Sequence, residues 1–200
     1  MLFPIPGLSS SGVTQEETAP PPPGREMATF SAGCFWAMQA MFQQLKGVDK
    51  ADPGYSGGMI AHPSYDLVET GTTGYAESIN VVFDPKVISY RQLVRIVLTA
   101  RNPTTLDYQD PDSGTQYRSV IWYRTVAQQQ AAIAEIREVN AEHIWSDPIV
   151  TTVEPFKSFW RAEDYHLNYF HLHPDEPYCA EVVAPEVSHF QQMYASLLKR

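Results

Sequence analysis

Residues 29–38 read TFSAGCFWAM. Residues 27–31 have the makings of a short strand, and a helix is expected from near Cys34 to about Lys46. Its apolar positions, Phe35, Met38, Phe42 and Leu45, recur at spacings of three and four. Gly47 supplies the stop. A strand that hands over to a helix at Gly33 is the first unit of an α/β arrangement. Cys34 then lies in the first helical turn, where free backbone N–H groups and the positive end of the macrodipole lower a thiol pKa. Gly33 leaves room for a close approach to the sulfur. Phe35 and Trp36 are candidate walls of an apolar pocket. Cysteine, phenylalanine and tryptophan are also ordinary core residues, so this stretch alone leaves both readings open.

The pattern continues outward. ESINVVFDP (77–85) alternates, with Ile79, Val81 and Phe83 on one face. Ser89 can cap a helix whose stripe is Tyr90, Leu93, Val94, Val97 and Leu98. YRSVIWY (117–123) reads as a strand, Thr125 caps a helix to about His143, and PIVTTVEPF (148–156) is another strand. YSGG (55–58), HPSYD (62–66) and RNPTTLDYQDPDSGTQ (101–116) read as loops. The last is long enough to suggest a functional loop. Residues 157–185 look irregular, and 186–199 suit a final helix. The alternation predicts an α/β (α+β) two-layer sandwich with a mixed sheet, a ferredoxin-like core and an irregular C-terminal segment. One catalytic domain is expected over residues 26–200. Residues 1–25, with Pro20 to Pro23 in a row, are expected to form an extended, poorly ordered leader. The alternative is an arm docked on the domain.

The chain has 200 residues and a net charge of -9. That charge disfavours nucleic acid and anionic membranes as partners. No run reaches the ~20 apolar residues that span a bilayer. The N-terminus lacks the basic region of a secretory signal. Two cysteines are too few for a secreted disulfide scaffold or a cysteine-only zinc site, and no histidine pair stands at ligand spacing beside either. The expectation is a cytoplasmic protein without a metal, and nothing demands more than a monomer.

Glu77 shares the parity of Ile79, Val81 and Phe83. Turned toward the apolar layer, its carboxyl pKa would rise and it would serve as a general acid. Turned to solvent, it is an ordinary strand-end residue. Tyr65, Asp112 and Tyr117 fall on loops or loop edges, where tyrosine can donate a hydrogen bond from a dry ring. Each also fits a packing or turn role. Cys179, in DEPYCAEVV, reads either as a buried free thiol or as a second thiol that meets the first.

Several separated stretches stand in one order: GCFW (33–36), GYSGG (54–58), HPSYDLV (62–68), TGYAESINVVFDP (73–85), GTQYRSVIWY (114–123) and AEDYHLNYFHLHPDEPYC (162–179). Together they resemble the A-type peptide methionine sulfoxide reductases. The resemblance implies reduction of methionine S-sulfoxide, free or in proteins. It implies Cys34 as nucleophile, Phe35 and Trp36 as the pocket for the substrate methyl group, and Glu77 as acid. Tyr65, Asp112 and Tyr117 would hold the sulfoxide oxygen and its water, with Tyr178 leaning over the site. His166 and Gln39 would act from behind. Cys34 would become a sulfenic acid, which Cys179 resolves to a disulfide, and thioredoxin or another dithiol would be the electron donor, with no bound cofactor.

Two departures stand out. Gln39 occupies a position where the family carries Glu, and removing that charge is expected to favour the thiolate. The segment after Cys179 lacks glycine, which leaves a one-cysteine cycle as the alternative to a Cys34–Cys179 disulfide. A cysteine protease, a thiol peroxidase and a non-catalytic binder of oxidised methionine are the rival functions. Phe35 between cysteine and tryptophan breaks the protease pattern, and no basic neighbour of Cys34 suits a peroxidase.

Overall fold

The structure is a computed structural model that describes residues 14–200. Its strands are β1 (Gln15–Glu16), β2 (Glu26–Ser31), β3 (Val48–Ser56), β4 (Ala76–Phe83), β5 (Tyr108–Gln109), β6 (Asp112–Ser113), β7 (Val120–Tyr123), β8 (Thr152–Pro155) and β9 (Phe159–Arg161). The α-helices are α1 (Phe35–Phe42), α2 (Tyr65–Glu69), α3 (Tyr90–Ala100), α4 (Val126–Ala141), α5 (Tyr169–Leu172) and α6 (Ala184–Met193).

Seven strands form one sheet in the order β1-β9-β3-β4-β2-β7-β8. Every pairing is antiparallel except β7 with β8, so the sheet is mixed, as expected. The run β2-α1-β3-β4-α3-β7, with sheet order β3-β4-β2-β7, is the expected ferredoxin-like core. One apolar cluster joins Phe30, Ile79, Val81, Phe83 and Ile121 of the sheet to Met38, Phe42, Leu93, Val97 and Phe190 of the helices. The predicted face of β4 is therefore the helix-covered one. Its other face is buried as well, and its polar groups bond in pairs: Thr29 Oγ1 to Asn80 Oδ1 at 2.8 Å and Ser31 Oγ to Ser78 Oγ at 2.7 Å. Trp122 Nε1 donates to Ser31 Oγ at 2.8 Å. The expected caps are present, Ser89 in a full capping box with Gln92 and Thr125 accepting from Gln128 N.

Several boundaries differ from the sequence reading. Residues 55–58 are not all loop, because Tyr55 and Ser56 complete β3. Pro53 and Gly54 disguise this strand as a turn. Pro53 lies just outside the register with β9, which begins at Gly54 opposite Arg161, and only its carbonyl is engaged, by Ala162 N at 2.9 Å. Helix α1 ends at Phe42, short of Lys46, because the C-terminal chain claims the next backbone groups. Lys46 N donates to Leu197 O at 2.8 Å and Lys199 N to Gln44 O at 2.7 Å. Tyr117 closes a 3-10 turn, so strand β7 starts only at Val120. Residues 157–185 hold β9, α5 and a π-helical turn, Cys179–Val183, that runs directly into α6. Among the described residues no helix is long and apolar enough to cross a membrane.

Residues 14–25 belong to the stretch read as leader, and three of them bond to β9. Gln15 and Glu16 pair with Arg161 and Trp160, and Glu17 N donates to Phe159 O at 2.9 Å. Residues 1–13 of that stretch lie outside the described residues.

A methyl group at Gly54 would stand 2.3 Å from Trp160 O and 2.4 Å from the Phe159 ring, so only glycine lets β9 approach. Gly54→Ala should lower the unfolding free energy by about 3 kcal/mol, the upper end of overpacking costs, read as a shift in urea midpoint. An unchanged midpoint would mean that β9 does not sit against β3.

Candidate active site

Cys34 occupies the N-cap position of α1, reached from β2 through Ala32 and Gly33, the latter at φ +79°. Space beside Gly33 is not left open for substrate as expected. A Cβ there would meet Gln109 Cγ at 2.4 Å and Arg101 Nη2 at 2.6 Å. The buried Arg101 supports the turn from beneath, donating from Nε to Ala32 O at 2.9 Å, and its guanidinium pairs with Glu186 of α6.

The Cys34 sulfur lines a cavity of about 280 Å3. Its thiol does not have the lowered pKa expected of a helix tip. Burial and the nearby Glu77 carboxyl push it well up, and the N–H groups of Ala37 and Trp36 only partly offset them. Glu77 lies on β4 opposite Tyr55 of β3, and its Oε2 accepts from Phe35 N at 2.8 Å. Burial also drives this carboxyl well above the ordinary range, with Phe35 N–H pulling it down and Glu69 and Asp112 pushing it further up. Burial thus disfavours the charged form of both groups.

Phe35, Trp36, Tyr65, Asp112, Tyr117 and Tyr178 line the same cavity, so the structure gathers most of the residues singled out in the sequence. Phe35 is held among Tyr55, Tyr65 and His166, with ring centroids at 5.7, 6.4 and 4.9 Å. Trp36 stacks on Tyr169 at 3.9 Å and meets the edge of Tyr178 at 6.0 Å. Its indole donates to His166 Nδ1 at 3.0 Å. Tyr117 donates its hydroxyl to Glu69 Oε2 at 2.8 Å, and Tyr178 donates to Asp112. Burial raises the Tyr65, Tyr117 and Tyr178 hydroxyls, so all three remain protonated donors.

The other three candidates do not line the cavity. His166 is fully buried, and burial lowers its pKa to about 4, so it is neutral and its Nδ1 is free to accept from Trp36. Gln39 gives both ends of its amide to backbone, Nε2 to Ala51 O at 3.0 Å and Oε1 from Asn168 N at 2.9 Å. Neither bond reaches the sulfur; Gln39 ties α1 to β3 and to Asn168. Cys179 is buried at the start of its π-helical turn, with its N–H on Glu176 Oε2 at 3.0 Å. Burial, with Glu176 adding to it, raises its thiol to about 11. Both cysteines are free.

Sequence reasoning missed Glu69, Glu163 and Glu176. Glu176 lines the cavity, and Glu69 is the partner of Tyr117. Glu163 accepts from Tyr55 Oη at 2.9 Å and from Tyr65 N at 2.8 Å, joining three elements behind the site. Glu163 and Glu176 stand inside a quoted motif, but only folding shows what they bond. Among the described residues no three His, Cys, Asp or Glu side chains gather as metal ligands.

Residues 26–197 match the family model described as peptide methionine sulfoxide reductase. A peptide methionine sulfoxide reductase MsrA of Polynucleobacter asymbioticus is 46% identical over 88% of this chain and 93% of its own length. One from Deinococcus radiodurans is 41% identical over 93% of this chain and 90% of its own. The crystal structure of Mxr1 from Saccharomyces cerevisiae in reduced form superposes with a TM-score of 0.74 at 30% identity, covering 86% of this chain and 96% of that one. The chain belongs to the peptide methionine sulfoxide reductase family, A type, and its activity is the reduction of methionine sulfoxide to methionine.

Proposed function

We propose that Cys34 is the nucleophile and Glu77 the proton source of this reduction. The observation that carries the assignment is their meeting at one cavity, with Glu77 held on Phe35 N–H, one residue from the sulfur. The sulfoxide methyl group lies against Phe35 and Trp36, gripped by dispersion and sulfur–aromatic contact. Its oxygen lies toward Glu77 and the tyrosine hydroxyls of Tyr65 and Tyr117. The Glu77 proton passes to that oxygen, which makes the substrate sulfur electrophilic. The emptied carboxylate takes the Cys34 proton, and the thiolate attacks sulfur. A Cys34–sulfur bond forms, the oxygen transfers to Cys34 with its proton, and methionine leaves. The sum is thiol plus sulfoxide giving sulfenic acid plus thioether, so Cys34 is oxidised as the substrate is reduced. Asp112 fixes Tyr178 over the site, and His166 fixes Trp36 from behind.

The sulfenic acid then condenses with the Cys179 thiol, releasing water and leaving a disulfide that an external dithiol reduces. We take that dithiol to be thioredoxin. A solved complex of yeast Mxr1 with Trx2 shares this fold and names the reductant to try first. Cys179 lines no part of the Cys34 cavity and begins a π-helical turn; in this reading that turn opens to bring the sulfurs together. We place this activity in residues 26–200 of a cytoplasmic monomer that acts on free and protein-bound methionine S-sulfoxide without a bound cofactor.

The direct test is turnover of separated S and R sulfoxide epimers with a dithiol reductant. Reduction of S alone, lost in Cys34→Ser, is expected; activity surviving that substitution would remove Cys34 from the chemistry. In the same assay Glu77→Gln should lower turnover about a hundredfold or more.

Stability against pH tests the Glu77 proton independently. Folded Glu77 holds its proton to a higher pH than the unfolded chain, where the ordinary value is 4.5. Its contribution is therefore complete below that value and lost as pH rises through the folded-state one. Glu77→Gln should gain on wild type in urea unfolding as pH rises above 4.5. Parallel pH profiles would show an ionised Glu77 at rest.

For recycling, one equivalent of sulfoxide without reductant should yield a Cys34–Cys179 disulfide by mass spectrometry. Cys179→Ser should stop at the sulfenic acid after a normal first turnover. A sulfenic acid persisting in wild type would establish the one-cysteine cycle instead.

A further inference from the structure

The hydroxyl of Tyr117 carries one proton, and two groups compete for it. Tyr117 lines the cavity at Cys34, where the mechanism proposed above turns its hydroxyl to the sulfoxide oxygen. In the structure that hydroxyl donates instead to Glu69 Oε2 at 2.8 Å. A tyrosine offers a single donor, so a proton held by Glu69 is not available to the substrate. Both contacts can exist together only if the bond runs the other way, with Glu69 donating to Tyr117 Oη. A separation of 2.8 Å suits either direction.

The surroundings of Glu69 favour the reversed bond. Glu69 ends α2, the helix that begins at Tyr65, and does not line the cavity itself. The backbone here is tied to the 3-10 turn Thr115–Tyr117, with Gln116 Nε2 donating to Glu69 O at 3.2 Å and Thr115 Oγ1 to Gly71 O at 2.8 Å. Glu69 Oε1 is buried and finds no hydrogen-bond partner among the described residues. A carboxylate there would rest on the one bond from Tyr117, and no Lys, Arg or His among the described residues forms an ion pair with it. The other groups that face it are the acids Asp112 of β6 and Glu77 of β4, which oppose its charge, and Tyr65, which stays protonated. An anion out of water with one neutral donor is costly, whereas the acid form needs no counter-charge. Burial raises the Glu69 carboxyl, the Tyr117 bond draws it back, and Asp112 adds to the rise.

We propose that Glu69 is a positioning residue for the reduction: as the carboxylic acid it donates to Tyr117 Oη and so aims the Tyr117 proton at the sulfoxide oxygen, and as the carboxylate it draws that proton away from the cavity. This role rests on the proposed placement of Tyr117 at that oxygen. Glu69 and Tyr117 both keep their protons, as hydrogen-bond donors only. Glu77 remains the proton source, and the balance of the reaction is unchanged.

The test is the first turnover of methionine S-sulfoxide, followed against pH in wild type, Glu69→Gln, Tyr117→Phe and the double variant. Glutamine matches the shape of the acid, can turn an N–H to Tyr117, and does not ionise. The rate of Glu69→Gln relative to wild type should climb with pH, to about threefold or more once Glu69 is ionised in wild type, in the maximal rate and not in KM. In the Tyr117→Phe background the same substitution should give no climb. A bare charge effect of Glu69 on Glu77 has the opposite sign. Removing that charge lets Glu77 ionise sooner, so the glutamine variant would fall behind wild type as pH rises, with or without the Tyr117 hydroxyl. The proposal is overturned by a ratio that stays flat or falls with pH, or by a climb that survives in Tyr117→Phe. A Tyr117→Phe enzyme as fast as wild type would instead remove Tyr117 from the oxygen, and the role of Glu69 with it.

Discussion

The bond from Phe35 N–H to the Glu77 carboxyl, 2.8 Å long and shut away from water, joins the first turn of α1 to the middle of the sheet. It brings the acid within reach of the sulfur and fixes the direction of the carboxyl. It also uses one of the amides that would otherwise be left over at the helix start. Burial of Phe35 among Tyr55, Tyr65 and His166 holds the amide in place, and Glu163 holds the tyrosines in turn. The geometry of the site thus rests on packing behind it rather than on the residues that face the cavity.

The protonation state follows from comparing magnitudes. A helix terminus favours an anion by about 0.3–1 kcal/mol, up to about 2 in a partly buried setting. Full desolvation moves a group by as much as about 3–5 pKa units, or roughly 4–7 kcal/mol. Burial therefore outweighs the helix end at Cys34, with Glu77 and Asp112 working in the same direction, and Glu69 and Asp112 likewise raise Glu77. In the proposed mechanism such a site keeps its protons until a substrate oxygen arrives to accept one.

What could be read from the sequence was what is encoded locally. The handover at Gly33–Cys34, the alternation through Glu77 to Phe83, and the caps Ser89 and Thr125 depend on near neighbours, and each is found where the pattern put it. Strand β3 escaped because Pro53 and Gly54 carry the mark of a turn, while the reason for Gly54 is the approach of β9, more than a hundred residues later. The side chains filling the space beside Gly33 and the two bonds of Gln39 escaped for the same reason, since Arg101, Gln109 and Asn168 come to them only through folding. The site residues were visible as residue types in motifs. Not all of their partners were: Glu69 under Tyr117 and Glu163 on Tyr65 N came only with folding, whereas His166, behind Trp36, stood in a motif.

The two-residue strand β1 has a bearing on solubility. Without it the sheet would end on β9, where Phe159 and Trp160 flank backbone groups free to recruit a strand from another molecule. Gln15 and Glu16 occupy that rim with a segment too short to serve as a template itself, and the prolines that follow cannot extend it. The proline-rich stretch thereby closes an aggregation-prone border with a handful of residues.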